Sequence, residues 1–200
     1  MEKRAEKKSP MRRLPDDCKA AEILARIRQD IPILGLTPAH DLSEPWPNRI
    51  ARLDDTELLG IEPVSPEMAS CIRSGLLLRG DFQEESHTLS QAIGSAEGNY
   101  WHAIMHRLEP DYSNSKYWFN RVGTHPIFEQ LDASASSVAN EELLAEFSSP
   151  SWDPFRFTDT CEAAVGGRLG QYQHELEQLQ ELEFDLLLAH CYQQAAGSPV

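Results

Sequence analysis

The sequence lacks the motifs that identify the common classes of enzyme. It has no Gly-x-x-x-x-Gly-Lys phosphate loop, no Gly-x-Gly-x-x-Gly segment after a strand and no Gly-x-Ser-x-Gly elbow. It also has no apolar run of about 18 residues, and no apolar segment follows its basic first residues. We therefore expect no membrane span, no secretory signal and a cytoplasmic protein, while no motif names a reaction.

Cysteine is scarce in this sequence. The four cysteines are far apart and include no Cys-x-x-Cys pair: Cys18, Cys71, Cys161 and Cys191. This spacing predicts neither a disulfide framework nor a zinc knuckle. Because Cys161 and Cys191 lie in apolar segments of helical character, we predict that the thiols are free and buried.

Basic residues are outnumbered, with 18 Lys and Arg against 32 Asp and Glu, which gives a net charge of −14. Residues 1–13 hold six of the basic residues and only two of the acidic ones, so the rest of the chain is more acidic still. An acidic surface repels phosphate backbones. We therefore expect no nucleic-acid partner for the folded part of the chain.

Composition divides the chain into three parts. Residues 1–17 are basic and poor in large apolar side chains, so a disordered tail is predicted. Residues 18–66 are rich in proline and should form short helices joined by turns, with Trp46 docked on the core. Residues 67–197 are predicted to form the main helical domain, which ends in a long amphipathic helix over residues 169–195.

Helical periodicity predominates, so we predict an all-α, single-domain helical bundle of six to eight helices around a central helical hairpin. The first helix of the hairpin covers residues 99–109, whose apolar side chains recur at helical spacing. Its apolar side carries Trp101, Ile104, Met105 and Leu108. Pro110 ends this helix, and the second helix runs to Gly123. The small, polar stretch 132–140 is expected to be a flexible turn.

The second helix of the hairpin resembles the second half of a tetratricopeptide or Sel1-like repeat. In that pattern a small residue is followed four positions later by an aromatic residue and three positions after that by a small or apolar one. Ser115, Phe119 and Val122 fit this pattern. The resemblance implies a groove that binds a protein or peptide partner without catalysis.

The block from Gly80 to Phe128 resembles a family of bacterial and fungal proteins of unassigned function. The similarity covers the Glu-Ser-His-Thr-Leu-Ser-Gln segment around His87 and the hairpin sequence from Tyr100 through the His-Pro pair at 125–126. The resemblance groups these residues together and implies no activity.

Histidine is concentrated in the same region, which holds four of the seven histidines of the chain. His102 and His106 are four residues apart on one face of the predicted helix, and two imidazoles in that relation can hold a divalent metal ion. A side chain from a neighbouring segment would complete the site. The candidate metal ligands are His87, His102, His106, Glu109 and His125. Nitrogen and carboxylate ligands together suit zinc, manganese or iron.

Two other interpretations stay open. In one, the region is a polar pocket without metal, where a histidine acts as a general base and basic side chains attract an anionic small ligand. The candidate ligand-binding residues are Glu85, His87, Arg107, Asp111, Asn114, Lys116 and Arg121. In the other, Arg107 and Arg121 pair with Glu109 and Asp111, and the histidines are ordinary helix residues satisfied by carboxylates. Whether the protein is an enzyme is left open.

Overall fold

Eleven α-helices are formed by the residues that the computed structural model describes, which are 13–38, 46–148 and 150–197. The helices are α1 (Lys19–Asp30), α2 (Trp46–Arg52), α3 (Asp55–Leu59), α4 (Pro66–Arg79), α5 (Gln83–Ser90), α6 (Ala96–Leu108), α7 (Tyr112–Val122), α8 (Pro126–Ala135), α9 (Glu141–Phe147), α10 (Pro154–Val165) and α11 (Gln173–Ala195). A 3-10 turn, Gly170–Tyr172, precedes α11. These described residues contain no strand, so the predicted all-α single domain is confirmed.

The buried centre of the bundle is built from α4, α6 and α11. Gly75 of α4 lies so close to its neighbours that a Cβ atom at this position would stand 2.6 Å from Trp101 of α6 and 2.9 Å from Leu188 of α11. Trp101 in turn meets Phe184 of α11 edge to face, with ring centroids 5.2 Å apart. Most side chains of α11 from Glu183 to Tyr192 are buried, because helices pack on it from several sides.

The proline-rich part of the chain packs on α4. Trp46 at the start of α2 is buried, which confirms that it docks on the core. Arg79 at the end of α4 is also buried, where it donates to the carbonyl of Ile31 and pairs with Glu181 of α11. Of the predicted tail, residues 1–12 lie outside the described residues.

The predicted hairpin consists of α6 and α7, which pack against each other along most of their length. Pro110 separates the two helices, and the Asp111 carboxylate caps α7 by accepting a hydrogen bond from the N–H of Asn114. The three residues of the repeat pattern are all buried: Ser115, Phe119 and Val122. The likeness to a tetratricopeptide or Sel1-like repeat stays a prediction.

Two sequence-based expectations about the helices were wrong. The bundle has more than six to eight helices, because the proline-rich part forms both α2 and α3 and because α8 was not foreseen. Residues 132–135 belong to α8 rather than to a flexible turn. Leu131 and Ala135 are fully buried there, since α8 packs against α11 and small side chains permit the close approach.

Arg107 belongs to a buried ion pair of the core and not to a ligand pocket. Its guanidinium pairs with the Glu183 carboxylate of α11, and the Tyr100 hydroxyl donates to the same carboxylate at 2.9 Å. Burial, reinforced by the Glu183 charge, raises the pKa of Tyr100. The expected pairing of Arg107 with Glu109 or Asp111 is therefore wrong, because a distant residue on α11 provides the partner.

The four cysteines are buried and unpaired, as predicted. Burial raises the pKa of the Cys161 thiol to about 12, so this cysteine is an inert core residue. Within the described residues, no helix combines the length and the apolar character needed to cross a membrane.

Candidate metal site

Three of the predicted metal ligands come together where α5 packs against α6. His87 lies on α5, and His102 and His106 lie one turn apart on α6. The His87 ring centroid is 4.7 Å from that of His102 and 5.4 Å from that of His106, while the rings of His102 and His106 are stacked 4.8 Å apart. One nitrogen from each ring lies within 4.8 Å of the others, a spacing that permits shared coordination of one ion. We refer to these three residues as the histidine cluster.

His102 is the most constrained member of the histidine cluster. It is only 2% exposed, and the indole of Trp118 from α7 stacks on its ring with centroids 3.9 Å apart. Neither ring nitrogen has a hydrogen-bond partner in the described part of the chain. Burial, with smaller contributions from His106 and His87, lowers the His102 pKa to about 3. The imidazole is thus neutral at physiological pH, which is the form that binds metals.

His106 is held by two polar neighbours. Its Nδ1 donates to the Glu109 carboxylate at 3.1 Å, and its Nε2 accepts from the Asn114 side-chain amide at 3.0 Å. Burial lowers the His106 pKa, although the Glu109 charge acts in the opposite direction. Glu109 is 55% exposed, so the structure places this predicted ligand beside His106 and at the surface.

His125 does not belong to the histidine cluster. It lies before α8, in a second group with Glu97 from the first turn of α6 and His190 from α11. Glu97 accepts a hydrogen bond from His190, and this contact does most to lower the Glu97 pKa to about 2. Burial lowers the His125 pKa to about 4. The prediction of a single site that includes His125 is therefore wrong, because His125 lies next to His190 of α11.

The remaining predicted ligand-binding residues do not converge on one pocket. Asp111 caps α7, and Lys116 pairs with Asp159 of α10 at 2.5 Å. Arg121 lies over the Trp118 ring at 5.2 Å, and His102 stacks on the same indole. Its expected pairing with Glu109 or Asp111 is not among the ion pairs of the described residues. Glu85 is exposed on α5.

Glu97 and His190 were missed in the sequence. His190 sits in the apolar run of α11, where a lone histidine would indicate a buried polar contact. Glu97 lies two residues after Ser95, whose hydroxyl accepts from the N–H of Gly98 and caps α6. An acidic residue in the first turn is explained by the helix dipole alone, so the sequence offers no signal of a further role.

Comparisons with known proteins give no match: no family model fits the chain, and no curated protein or solved structure is significantly similar to it. The chemistry of the site therefore follows from its geometry and electrostatics alone.

Proposed function

We propose that this protein binds a divalent metal ion through His87, His102 and His106, with Zn²⁺ as the best match. The observation that carries the proposal is the state of His102, a buried neutral imidazole whose two nitrogens have no hydrogen-bond partner among the described residues. Burying such groups without partners is unfavourable, and a bound ion would satisfy the lone pair. The two other imidazoles stand at the right place to share that ion.

The surroundings of His106 support this proposal. Because Glu109 accepts the Nδ1–H of His106, the lone pair of this imidazole is on Nε2. A carboxylate that orients a ligating histidine in this way is a regular feature of metal sites. The Asn114 amide donates to the same Nε2, so an ion bound there would displace this amide.

Three histidine ligands leave a fourth position of a tetrahedral zinc ion for water or a small ligand. His87 is half-buried, so it is the member of the histidine cluster with the most contact with solvent.

The test is a metal titration of protein that has been stripped with a chelator. We expect that the double variant His102→Ala, His106→Ala loses one bound Zn²⁺ per chain. We expect Glu109→Gln to keep the ion but to weaken its affinity by about 10- to 100-fold, because the carboxylate no longer orients His106. Calorimetry and the metal content of the purified protein measure both effects.

His174 provides a matched control, because it is a histidine whose side chain is 69% exposed. The variant His174→Ala should bind the same number of ions as the wild type. The proposal is wrong if the double variant binds as many ions as the wild type with equal affinity, or if Zn²⁺ and Mn²⁺ neither bind the stripped wild type nor change its melting curve.

A further inference from the structure

The second group of candidate ligands lies deeper in the bundle than the histidine cluster. Its side chains are 14% exposed for Glu97, 1% for His125 and 2% for His190. They come from the start of α6, the residue before α8 and the second half of α11. Residues separated by as many as 93 positions therefore meet at one place.

The distances in this group are close to those between ligands of one metal ion. The Oε1 atom of Glu97 is 3.1 Å from Nε2 of His190 and 3.9 Å from Nε2 of His125. Ligand atoms about 2.1 Å from a tetrahedral ion are about 3.4 Å from each other. The two observed distances lie on either side of this value, and the three ligand atoms all lie within 4.8 Å of one another.

Two nitrogen atoms of this group have no hydrogen-bond partner among the described residues. They are Nε2 of His125 and Nδ1 of His190, and both are buried. The Nε2 of His125 lies 3.9 Å from the Oε1 atom of Glu97, the carboxylate member of the group. A polar atom that is buried without a partner calls for an explanation, and a bound ion supplies one for His125.

We propose that Glu97, His125 and His190 form a second divalent-metal site, distinct from the histidine cluster, that links α6, α8 and α11. Two imidazoles and one carboxylate suit Zn²⁺, Mn²⁺ or Fe²⁺. The burial of all three ligands indicates a structural ion rather than a site that exchanges ligands with solvent. An ion that binds only the folded chain stabilises the fold.

Binding of the ion rearranges protons within the group. Without metal, the Nε2–H of His190 donates to Glu97, and Nδ1 of His125 accepts from the N–H of Ile127 at 3.3 Å. With metal, each neutral imidazole presents the lone pair of Nε2 and carries its proton on Nδ1. The hydrogen bond from His190 to Glu97 would be replaced by one bond from each of these residues to the metal ion. The long hydrogen bond from the Ile127 N–H to Nδ1 of His125 would be lost.

The experiment starts from the variant His102→Ala, His106→Ala, in which the histidine cluster is removed. After chelator treatment, we expect this protein to bind one Co²⁺ or Zn²⁺ per chain and to melt at a higher temperature when the ion is present. Adding Glu97→Gln should weaken this binding by at least about 100-fold, because loss of a direct ligand exceeds loss of a residue that only orients one. The glutamine still accepts the hydrogen bond of His190, so the metal-free fold is kept.

Two further variants make the result specific. His125→Asn removes a ligand but keeps an oxygen that can accept from the Ile127 N–H, so it should fold and lose the ion as well. Glu109→Gln alters the histidine cluster alone and should leave this second ion in place. The absorption spectrum of bound Co²⁺ reports loss of a ligand directly.

The possible failures of the two proposed sites are distinguishable. If the starting variant binds no ion, or if Glu97→Gln and His125→Asn bind it as tightly as their parent, the second site does not exist. In wild-type protein, loss of one ion in Glu97→Gln but not in the His102, His106 variant would support the second site and reject the first. The reverse result would reject the second site alone.

Discussion

Glu183 carries a fully buried charge in the interior of the bundle. Its carboxylate neutralises the charge of the buried Arg107 and accepts a hydrogen bond from the hydroxyl of Tyr100. We predict that Glu183→Gln destabilises the fold by about 3 to 5 kcal/mol, because the guanidinium is then left in the core without a counter-charge. Denaturant unfolding followed by circular dichroism measures the change.

An exposed ion pair provides the comparison for Glu183. Lys116 pairs with Asp159 at the surface, where both side chains stay in contact with water. Asp159→Asn should lower the free energy of unfolding by less than about 1 kcal/mol. Equal losses of stability in Glu183→Gln and Asp159→Asn would show that burial does not make the Arg107–Glu183 pair more important to the fold than a surface pair.

At the residue scale, the sequence predicted those neighbours that follow from local spacing along a helix. His102 and His106 could be paired because residues four apart share a helix face. His87 joins them because α5 packs against α6, a tertiary contact that periodicity could not show. His125 was assigned to the wrong group, since its partners Glu97 and His190 lie on helices whose contacts depend on the tertiary fold.

At the scale of elements, the close packing of α4 depends on one glycine. An alanine usually favours a helix over glycine, yet its Cβ at Gly75 would collide with Trp101. We predict that Gly75→Ala destabilises the protein by about 1 to 3 kcal/mol, because α4 must move away from α6 and α11. Thermal and denaturant unfolding both report this loss.

Gly94 is the matched control for the packing of α4. A Cβ at Gly94 would meet no atom within 4 Å, and the backbone there does not require glycine. Gly94→Ala should therefore change stability by between zero and a gain of about 1 kcal/mol. A neutral result at both positions would contradict the tight crossing of α4 with α6 and α11.

Most helices could be predicted from the sequence because their start and stop signals are local. Pro110 and Gly123 bound the helices of the hairpin, and Asp153 caps α10. The failure at α8 has a physical reason. Its alanines favour a helix but Asp132 and Ser134 do not, so composition alone predicts no clear state there. Burial of Leu131 and Ala135 against the bundle stabilises the helix.

At the scale of the whole molecule, the protein combines an acidic composition with buried neutral histidines. Acid lowers the mutual repulsion of the many carboxylates, which favours the folded state. It also favours the unfolded state, in which histidine takes up a proton at its ordinary pKa of 6.5. In the folded chain the pKa is about 3 for His102 and about 4 for His125, so between pH 6.5 and these values the native state binds fewer protons than the unfolded chain does.

The sign of the pH dependence follows from these two pKa values. Because both are depressed by folding, the stability they provide is present above pH 6.5 and is lost as the pH falls toward 4 and 3. Glu97, whose pKa falls from 4.5 to about 2, adds a further loss below pH 4.5. Acidification of metal-free protein should therefore destabilise it through these groups even though its net negative charge decreases.

Between about pH 7.5 and about pH 5, the metal-free wild type should lose about 2 kcal/mol more stability than His125→Asn does. The reason is that asparagine, unlike histidine, cannot take up a proton in the unfolded chain. His174→Asn should lose as much stability as the wild type, because this histidine is exposed in the folded protein. Denaturant unfolding in the presence of a chelator at both pH values checks the prediction. If wild type and His125→Asn lose equal amounts, His125 takes up its proton in the folded state, and the imidazole buried between α6 and α11 is already charged.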